Sequence, residues 1–93
     1  MLEEKRYIGK HKIVMDKRQR LSVTGLIDVI SFDEESIITD TDLGILVIRG
    51  QLLHINALNL EKGELDIDGE IESLNYEDRD TIKNKGLLRK IFK

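Results

Sequence analysis

The chain has 93 residues, of which 35% are charged and 40% hydrophobic, and its formal net charge is -3. This length suits one domain with one modest core, and the composition is that of a folded chain. The absence of cysteine excludes a disulfide framework, a thiolate nucleophile and a cysteine-based zinc site. Two histidines, His11 and His54, are too few for a histidine metal cluster, so we expect neither a metal nor a cofactor.

Apolar stretches in this sequence are short. Residues 45–48 (ILVI) form a fully apolar run, whereas a bilayer-spanning helix needs about 20 such residues. The first residues, MLEEKR, lack the apolar stretch of a secretory signal. We therefore expect a cytoplasmic protein.

The charges are distributed unevenly along the chain. Residues 1–20 hold seven basic and three acidic side chains, residues 21–76 two and twelve, and residues 77–93 six and three. An acidic body of net charge -10 is thus flanked by basic segments of +4 and +3. This asymmetry concerns partners rather than fold. The basic ends either neutralise the acidic body of the same molecule or a second copy, or they bind a different partner.

Short segments rich in β-branched residues and separated by Gly, Asp and Asn predict an all-β fold, an antiparallel meander of about five short strands. The predicted strands span residues 21–32, 37–39, 45–49, 52–60 and 64–76. A break in the first is allowed at Gly25. We expect a mobile basic segment over residues 1–15, in which residues 11–15 could add an edge strand, followed by a sheet domain over residues 16–76.

Three positions predict particular backbone features. Residues 45–48, apolar at four consecutive positions, suit a strand covered on both faces. The hydrophobic phase changes at residues 56–57, which predicts a bulge there. Gly63 can supply the positive φ of the turn before the last strand.

The last predicted strand alternates most regularly. Leu65, Ile67 and Ile71 share one face, and the acidic residues of the other face are Asp66, Asp68, Glu70 and Glu72. Carboxylates two residues apart on a strand lie roughly 6.5–7 Å apart, too far to share one calcium ion without distortion. Two interpretations remain open, a solvated strand face and an acidic docking face for a basic partner segment.

Residues 77–93 change to a helical period and predict an amphipathic basic C-terminal helix. Its apolar side chains are ringed by cations, and the predicted partner or membrane contact comprises Leu87, Leu88, Arg89, Lys90, Ile91, Phe92 and Lys93. Three roles remain open for these residues: packing on the chain's own sheet, binding an anionic membrane surface, or entering a partner protein's groove.

No arrangement of catalytic side chains stands out in the sequence. His54 has no second histidine nearby, and no serine lies in a nucleophile-elbow motif, so we expect no enzymatic activity and no catalytic residues. Nucleic-acid binding through a basic N-terminal arm, residues 5–20, is an alternative. The acidic body and the four scattered aromatic residues oppose it.

Seven short segments occur in a distinctive order along the chain. They are residues 17–21 (KRQRL), 23–25 (VTG), 31–35 (SFDEE), 43–44 (LG), 48–51 (IRGQ), 58–63 (LNLEKG) and 86–92 (GLLRKIF). This series resembles the YabP/YqfC family of sporulation proteins of endospore-forming bacteria, and the closing segment favours the YabP side of that family. The resemblance covers most of the chain. It implies a small, mainly β protein of the mother cell, with no catalytic residues to carry over.

The resemblance and the charge pattern together predict a non-enzymatic sporulation protein that acts as a protein-interaction module. Its expected partner is a membrane protein of sporulation or an anionic membrane surface, and its expected location is the mother-cell cytoplasm, peripheral at the forespore membrane. We also expect a homodimer, because a strand at residues 45–48 needs cover on both faces.

Overall fold

The computed structural model describes residues 11–78, which form one six-stranded antiparallel sheet. The strands are β1 (Lys12–Asp16), β2 (Arg20–Thr24), β3 (Leu26–Phe32), β4 (Ser36–Thr41), β5 (Gly44–Asn59) and β6 (Glu64–Glu77). Their order across the sheet is β1-β2-β6-β5-β4-β3. The prediction of an all-β antiparallel fold is therefore confirmed. Residues 11–78 contain no helix that could cross a membrane.

The strand connections differ from the predicted five-strand meander. Residues 21–32 divide into β2 and β3 at Gly25, whose φ of 73° lies in the left-handed region. This turn takes the chain from the half of the sheet that contains β1 and β2 to the half that contains β3 and β4. Strand β2 therefore pairs with β6 and not with β3. The two strands predicted at residues 45–49 and 52–60 are one continuous strand, β5. The edge strand considered at residues 11–15 is present as β1.

Two long strands, β5 and β6, run through both halves of a bent sheet. Residues 64–68 of β6 pair with β2, whereas residues 44–49 of β5 pair with β4. Register shifts interrupt the β5–β6 ladder between Arg49 and Gly50 and between Gln51 and His54. Bulges of this kind bend a strand pair. The inner face of the bend contains the core, because side chains from β2 and from β4 belong to one buried cluster.

The core on this inner face is aliphatic. Its buried members are Leu21, Val23, Leu26, Ile37, Leu46, Ile48, Leu53, Leu65, Ile67 and Ile71. Two buried threonines on strand β4 satisfy their own hydroxyl groups: Thr39 Oγ1 donates to Leu46 O at 3.1 Å and Thr41 Oγ1 donates to Gly44 O at 2.8 Å. A buried hydroxyl with a partner avoids the cost of an unmet hydrogen bond.

A second buried group lies on the opposite side of the β3–β4 half. Ile38, Ile45 and Val47 are 0%, 3% and 2% exposed, yet they do not belong to the core cluster. They alternate along β4 and β5 with core residues, and successive side chains of a strand point to opposite faces. These three residues form the outer apolar face. The prediction that residues 45–48 are covered on both sides is thus confirmed.

Smaller backbone predictions are also met. The β5–β6 register shifts between Ile55 and Ala57, where a bulge was predicted, and Gly63 has a φ of 67°. The C-terminal prediction was wrong at its first residue, because Glu77 continues β6 instead of beginning a helix. Pairing of Glu77 with Ile45 extends the strand to this point. The remainder of the predicted helix, from residue 79 onward, lies outside the described residues.

Candidate functional site

The acidic residues of β6 lie on the outward face of the sheet. The alternating Leu65, Ile67 and Ile71 are 1–2% exposed and belong to the core. Between and beside them, a row of carboxylates faces outward and forms the acidic ladder: Asp66, Asp68, Glu70 and Glu72. All are exposed except Asp68, which is half-buried. The predicted division of this strand into an apolar and an acidic face is confirmed.

Two ends of the acidic ladder are held by uncharged neighbours. The Ser22 hydroxyl on β2 donates to Asp66 Oδ1 at 2.8 Å, and the Gln51 amide on β5 donates to Glu72 Oε2 at 3.0 Å. These bonds orient the carboxylates, and because the donors are uncharged, they do not neutralise them. A row of negative charge therefore faces outward along β6.

Asp68, in the middle of the ladder, contacts side chains of both neighbouring strands. Asn56 Nδ2 donates to Asp68 Oδ2 at 3.1 Å, and Arg20 Nε lies 3.4 Å from Asp68 Oδ1. Within residues 11–78 this Oδ1 atom accepts no hydrogen bond, so the ion pair is its polar contact there. The Arg20 and Asp68 side chains are 65% and 41% exposed, which limits such a pair to about 1 kcal/mol at most. Its main effect is to fix β2 against β6.

Next to the ladder, the β1–β2 hairpin ends in a strained basic turn that the sequence did not reveal. Lys17 and Arg18 have φ values of 53° and 58°, and Gln19 N donates to Asp16 O at 2.9 Å. Two consecutive left-handed residues define a type I′ turn, which normally uses Asn-Gly. The Lys-Arg pair therefore carries no turn signal in the sequence. The polar residues between two apolar runs are the one hint of this hairpin.

Three hydrogen bonds attach this turn to β6. Ile71 N donates to Arg18 O at 2.9 Å, Gly69 N donates to Gln19 O at 3.1 Å, and Arg18 Nε donates to Ile71 O at 3.0 Å. The turn and the ladder thus place both signs of charge side by side. A depression between them is lined by Asp16, Lys17, Gln19, Arg20 and Asp68.

This geometry weakens the nucleic-acid alternative. Of the predicted basic arm, the described part is a hairpin in which Arg18 contacts a β6 carbonyl and Arg20 contacts a β6 carboxylate. Phosphate binding needs free cations on a positive surface. Here Arg18 and Arg20 are held against β6, beside the acidic ladder, which would repel phosphate.

Metal binding has no geometric support in the part of the chain that the structure describes. Within residues 11–78, no three His, Asp or Glu side chains lie close enough to hold an ion together. The carboxylates of the ladder are spread along one extended strand, and a calcium site requires several oxygens to converge on one point.

The two histidines occupy different environments. His54 is exposed on β5, opposite Asp68 of β6. His11 precedes β1, and its Nδ1 lies 2.7 Å from Thr24 O while its Nε2 lies 2.6 Å from the Tyr76 hydroxyl. A carbonyl only accepts, so we assign the proton of a neutral ring to Nδ1, and the Tyr76 hydroxyl then donates to Nε2. His11 therefore joins the start of β1 to the ends of β2 and β6.

The predicted contact residues of the C terminus lie outside the described residues. They are Leu87, Leu88, Arg89, Lys90, Ile91, Phe92 and Lys93. The acidic ladder and the basic turn are consequently the charged surfaces whose geometry the structure provides.

Comparison with known proteins identifies the family. The model of the YabP family matches residues 8–83, which include all six strands. The chain is also 36% identical over 85 residues to "Spore protein YabP" of Bacillus subtilis (strain 168), an alignment that covers 90% of this chain and 85% of that protein. The resemblance seen in the ordered sequence segments is confirmed, and the chain belongs to the YabP family.

Proposed function

We propose that this chain is a non-enzymatic interaction module that acts in the mother cell during endospore formation, at a membrane surface. The sporulation-related role rests on the family and on the similarity to a spore protein. The interaction role is supported above all by one observation, the row of outward-facing carboxylates on β6 beside a basic turn. Such a surface suits charge-directed recognition of another protein.

The acidic ladder is the proposed docking face for a basic partner segment. Glu70 and Glu72 are exposed, and the Gln51 amide orients one oxygen of Glu72 without cancelling its charge. A partner that supplies Lys or Arg opposite these carboxylates would associate faster, and the charge pairs would fix its position along β6. Asp68 contributes less, because Arg20 already lies beside it.

The C-terminal residues are the proposed contact with an anionic membrane or with a membrane protein. Apolar side chains and cations alternate there over a few residues, in the sequence Leu87, Leu88, Arg89, Lys90, Ile91, Phe92 and Lys93. Insertion of the apolar side chains into the interface, with cations at the lipid headgroups, is the mode in which such segments bind.

A homodimer remains part of the proposal. Both edge strands expose apolar side chains: Val14 and Met15 on β1 are 53% and 43% exposed, and Phe32 on β3 is 65% exposed. Unpaired apolar edges favour pairing with a second chain. Light scattering at high micromolar concentration tests this, and a monomeric mass there would contradict it.

Co-sedimentation with anionic vesicles tests the membrane contact. The full chain is compared with a version ending at Asp78, which keeps all of β6, and with the full-length variant Arg89→Glu/Lys90→Glu. We expect the full chain to pellet, salt to release it, and both altered chains to stay in the supernatant. Equal sedimentation of all three proteins would contradict a C-terminal contact. Neutral vesicles serve as the control for nonspecific adsorption.

The acidic docking face is tested separately with the variant Glu70→Lys/Glu72→Lys. A basic probe peptide, hexalysine, is titrated against this variant and the parent chain. We expect affinity for the parent at low salt and a loss of at least about tenfold in the variant. The matched control is Glu34→Lys/Glu35→Lys, an exposed pair in the β3–β4 turn that changes net charge equally and lies outside the ladder. Equal losses in both variants would leave net charge alone as the cause and contradict a docking face.

A further inference from the structure

The β1 edge of the sheet is regular and accessible. All five residues of β1 pair with β2 in one uninterrupted register, and among the strands of residues 11–78 none lies on its other side. Val14 and Met15 are 53% and 43% exposed, and the end residues Lys12 and Asp16 are also exposed. An extended edge with an apolar middle and no bulge or proline is a template for pairing with a further strand.

The opposite edge of the sheet, β3, is less suited to such pairing. Its register against β4 shifts between Leu26 and Asp28 and again between Val29 and Ser31. In addition, Val29 N donates to Asp28 Oδ1 at 2.9 Å, so a side chain already occupies one backbone donor of this strand. Bulges interrupt a hydrogen-bonded ladder and protect an edge from pairing. The backbone therefore favours β1 as the edge that accepts a strand.

The charges of β1 complement each other when the strand meets a copy of itself. Lys12 and Asp16 have opposite signs and lie four residues apart on one side of the strand, with Val14 midway between them. In an antiparallel pair centred on Val14 of both chains, Lys12 of each copy is directly opposite Asp16 of the other. Opposite charges at such positions stabilise a strand pair.

Neither of these two charges is neutralised in the part of the chain that the structure describes. Arg20 is the cross-strand neighbour of Asp16, but its guanidinium lies beside Asp68. Within residues 11–78, Lys12 and Asp16 have no ion-pair partner. A second copy of β1 supplies one for each of them.

We infer that β1 is the homodimer surface: it pairs antiparallel with β1 of a second copy, about a twofold axis at Val14, and joins two sheets into one. This inference rests on the homodimer of the proposed function and names its interface. A twofold interface is self-complementary, so each contact between two different residues occurs twice. Both ion pairs of Lys12 with Asp16 are therefore made together.

The apolar side chains of β1 fit the same arrangement. Ile13 and Met15 are opposite Val23 and Leu21 of β2, which belong to the core, so they lie on the core side of the sheet. In the Val14-centred register, Ile13 of each copy is opposite Met15 of the other. The two cores are thereby extended towards each other across the junction, and the exposed Met15 side chain gains an apolar neighbour.

Other registers of the same two strands lack this match. If the axis moves by one residue, to Ile13 or Met15, one of the two end charges is opposite Val14 and the other has no residue of β1 opposite it. A parallel pair in register places like charges side by side, which is destabilising. Only the register centred on Val14 pairs all five residues and both charges.

The joined sheet has a consequence for the acidic docking face of the proposed function. The strand order β6-β2-β1 continues through the second copy, so the two acidic ladders are five strand spacings apart, about 24 Å. A twofold axis perpendicular to the sheet leaves both ladders on the same outward side. A partner with two basic segments at that spacing would bind both ladders and gain avidity.

Reversal of the two charges tests the interface. Lys12→Glu and Asp16→Lys are made separately in the full chain, and dimerisation is measured by sedimentation equilibrium at low salt. Each variant alone places like charges opposite each other at both ends of the strand pair, so we expect its dimer dissociation constant to rise at least about tenfold. An equal mixture of the two variants places opposite charges at both ends and is expected to recover the parent's dissociation constant within about threefold.

The matched controls are Lys62→Glu and Glu35→Lys, which change net charge by the same amounts at exposed positions in turns. We expect these to leave dimerisation unchanged. Equal weakening by the controls, or weakening by both β1 variants without recovery in the mixture, would overturn the inference. Positions 12 and 16 are exposed, so both variants are expected to keep the parent's urea midpoint.

A crosslinking measurement leaves the charges in place. The chain has no cysteine, so Val14→Cys and Ile27→Cys each introduce one thiol, at side chains that are 53% and 50% exposed on β1 and β3. With a short bis-maleimide reagent, we expect covalent dimers to form at least about tenfold faster through position 14 than through position 27. Equal rates would overturn the inference, and a faster reaction at position 27 would overturn it in favour of β3.

The mass of the parent chain separates this inference from the proposed function. A dimeric parent whose dissociation constant is unaffected by either β1 reversal would overturn β1 as the interface and leave the homodimer intact. A parent that is monomeric at high micromolar concentration would overturn both the homodimer and its interface. The acidic docking face and the membrane contact have tests of their own, which do not depend on dimerisation.

Discussion

At the scale of single residues, the bend between the two halves of the sheet contains a strained position. Leu52 has a φ of 54° and is 70% exposed, so its backbone is costly and its side chain gains little from burial. The surrounding backbone holds it there: Leu53 N donates to Glu34 O at 2.8 Å, and Gly50 N donates to Glu35 O at 3.1 Å. The β3–β4 turn thus holds the backbone of β5 in place at the bend.

Replacing Leu52 with glycine is expected to stabilise the fold by ~0.5–1 kcal/mol. Relief of the left-handed backbone gains ~1–2 kcal/mol, and the greater freedom of glycine in the unfolded chain removes part of that. Urea unfolding measures the change. The matched control is Leu43→Gly, at an equally exposed position without a positive φ, where we expect a small loss. If Leu52→Gly lowers the free energy of unfolding as much as Leu43→Gly does, the backbone at position 52 is not strained.

Gly50→Ala is expected to lower the free energy of unfolding by at least ~2 kcal/mol. A Cβ at this position would overlap the carbonyl of Glu70 on the paired strand, and that backbone cannot move without breaking the β5–β6 ladder. Gln51→Ala, on the neighbouring exposed residue, is the control and should change stability by less than ~0.5 kcal/mol. An unchanged urea midpoint for Gly50→Ala would show that the hydrogen-bonded β5–β6 pair rearranges locally to make room for the methyl group.

At the scale of elements, β5 and β6 organise the sheet, and the shorter strands attach to one half of the pair each. β2 binds residues 64–68 of β6 and β4 binds residues 44–49 of β5. Among the strands of residues 11–78, the edge strand β1 pairs only with β2, so its other attachments matter. The main one described is the contact of His11 with Tyr76 near the end of β6.

Loss of the contact between His11 and Tyr76 is expected to destabilise the edge strand β1. Tyr76→Phe removes the hydroxyl that donates to His11 Nε2 and should cost about 0.5–1.5 kcal/mol. A double-mutant cycle with His11→Ala isolates the pair, and we expect a coupling of at least ~0.5 kcal/mol in urea unfolding. Asn75→Ala, at the exposed neighbouring position, is the control. Additive effects would show that the hydroxyl and the ring act independently.

Local pattern predicted the elements better than their connections. The alternation in β6, the bulge near Ala57 and the two-sided burial of residues 45–48 follow from side-chain period, which each strand carries in its own sequence. Pairing of β2 with β6 depends on contacts between residues forty or more positions apart, such as Leu21 with Ile67. No local pattern encodes such a pairing, and the preference for sequential neighbours placed residues 21–32 beside the next predicted strand, residues 37–39, instead.

The candidate site was predicted in part for the same reason. The acidic ladder follows from alternation on one strand, so its residues were found from the sequence. The basic turn beside it depends on Lys17 and Arg18 adopting left-handed conformations that these residue types seldom take. The contact of His11 with Tyr76 joins residues 65 positions apart, and composition contains no sign of it.

At the scale of the whole molecule, the two halves of the sheet differ in how many faces they bury. The β1–β2 half packs one face against the core and exposes the other to solvent. In the other half, β4 and residues 45–48 of β5 are buried on both faces, as Val47 on one side and Ile48 on the other show. The same strand, β5, therefore passes from a two-sided to a one-sided environment along its length.

Introducing one charge at two points of β5 tests that difference. Val47→Asp places a carboxylate under the cover of the outer apolar face and is expected to cost ~3 kcal/mol or more. His54→Asp places the same group at an exposed outward position of the other half and should change stability by less than ~0.5 kcal/mol in urea unfolding. Tolerance of Val47→Asp would mean that the outer apolar face is open in solution.

The continuity of β5 and β6 through the bend has a mechanical consequence. The two halves of the molecule share the same two strands, so no linker or hinge loop separates them. Two partners attached at opposite ends of the sheet would be held at a fixed spacing and orientation, with load passing along the hydrogen-bonded pair. The described sheet is therefore expected to move as one stiff unit.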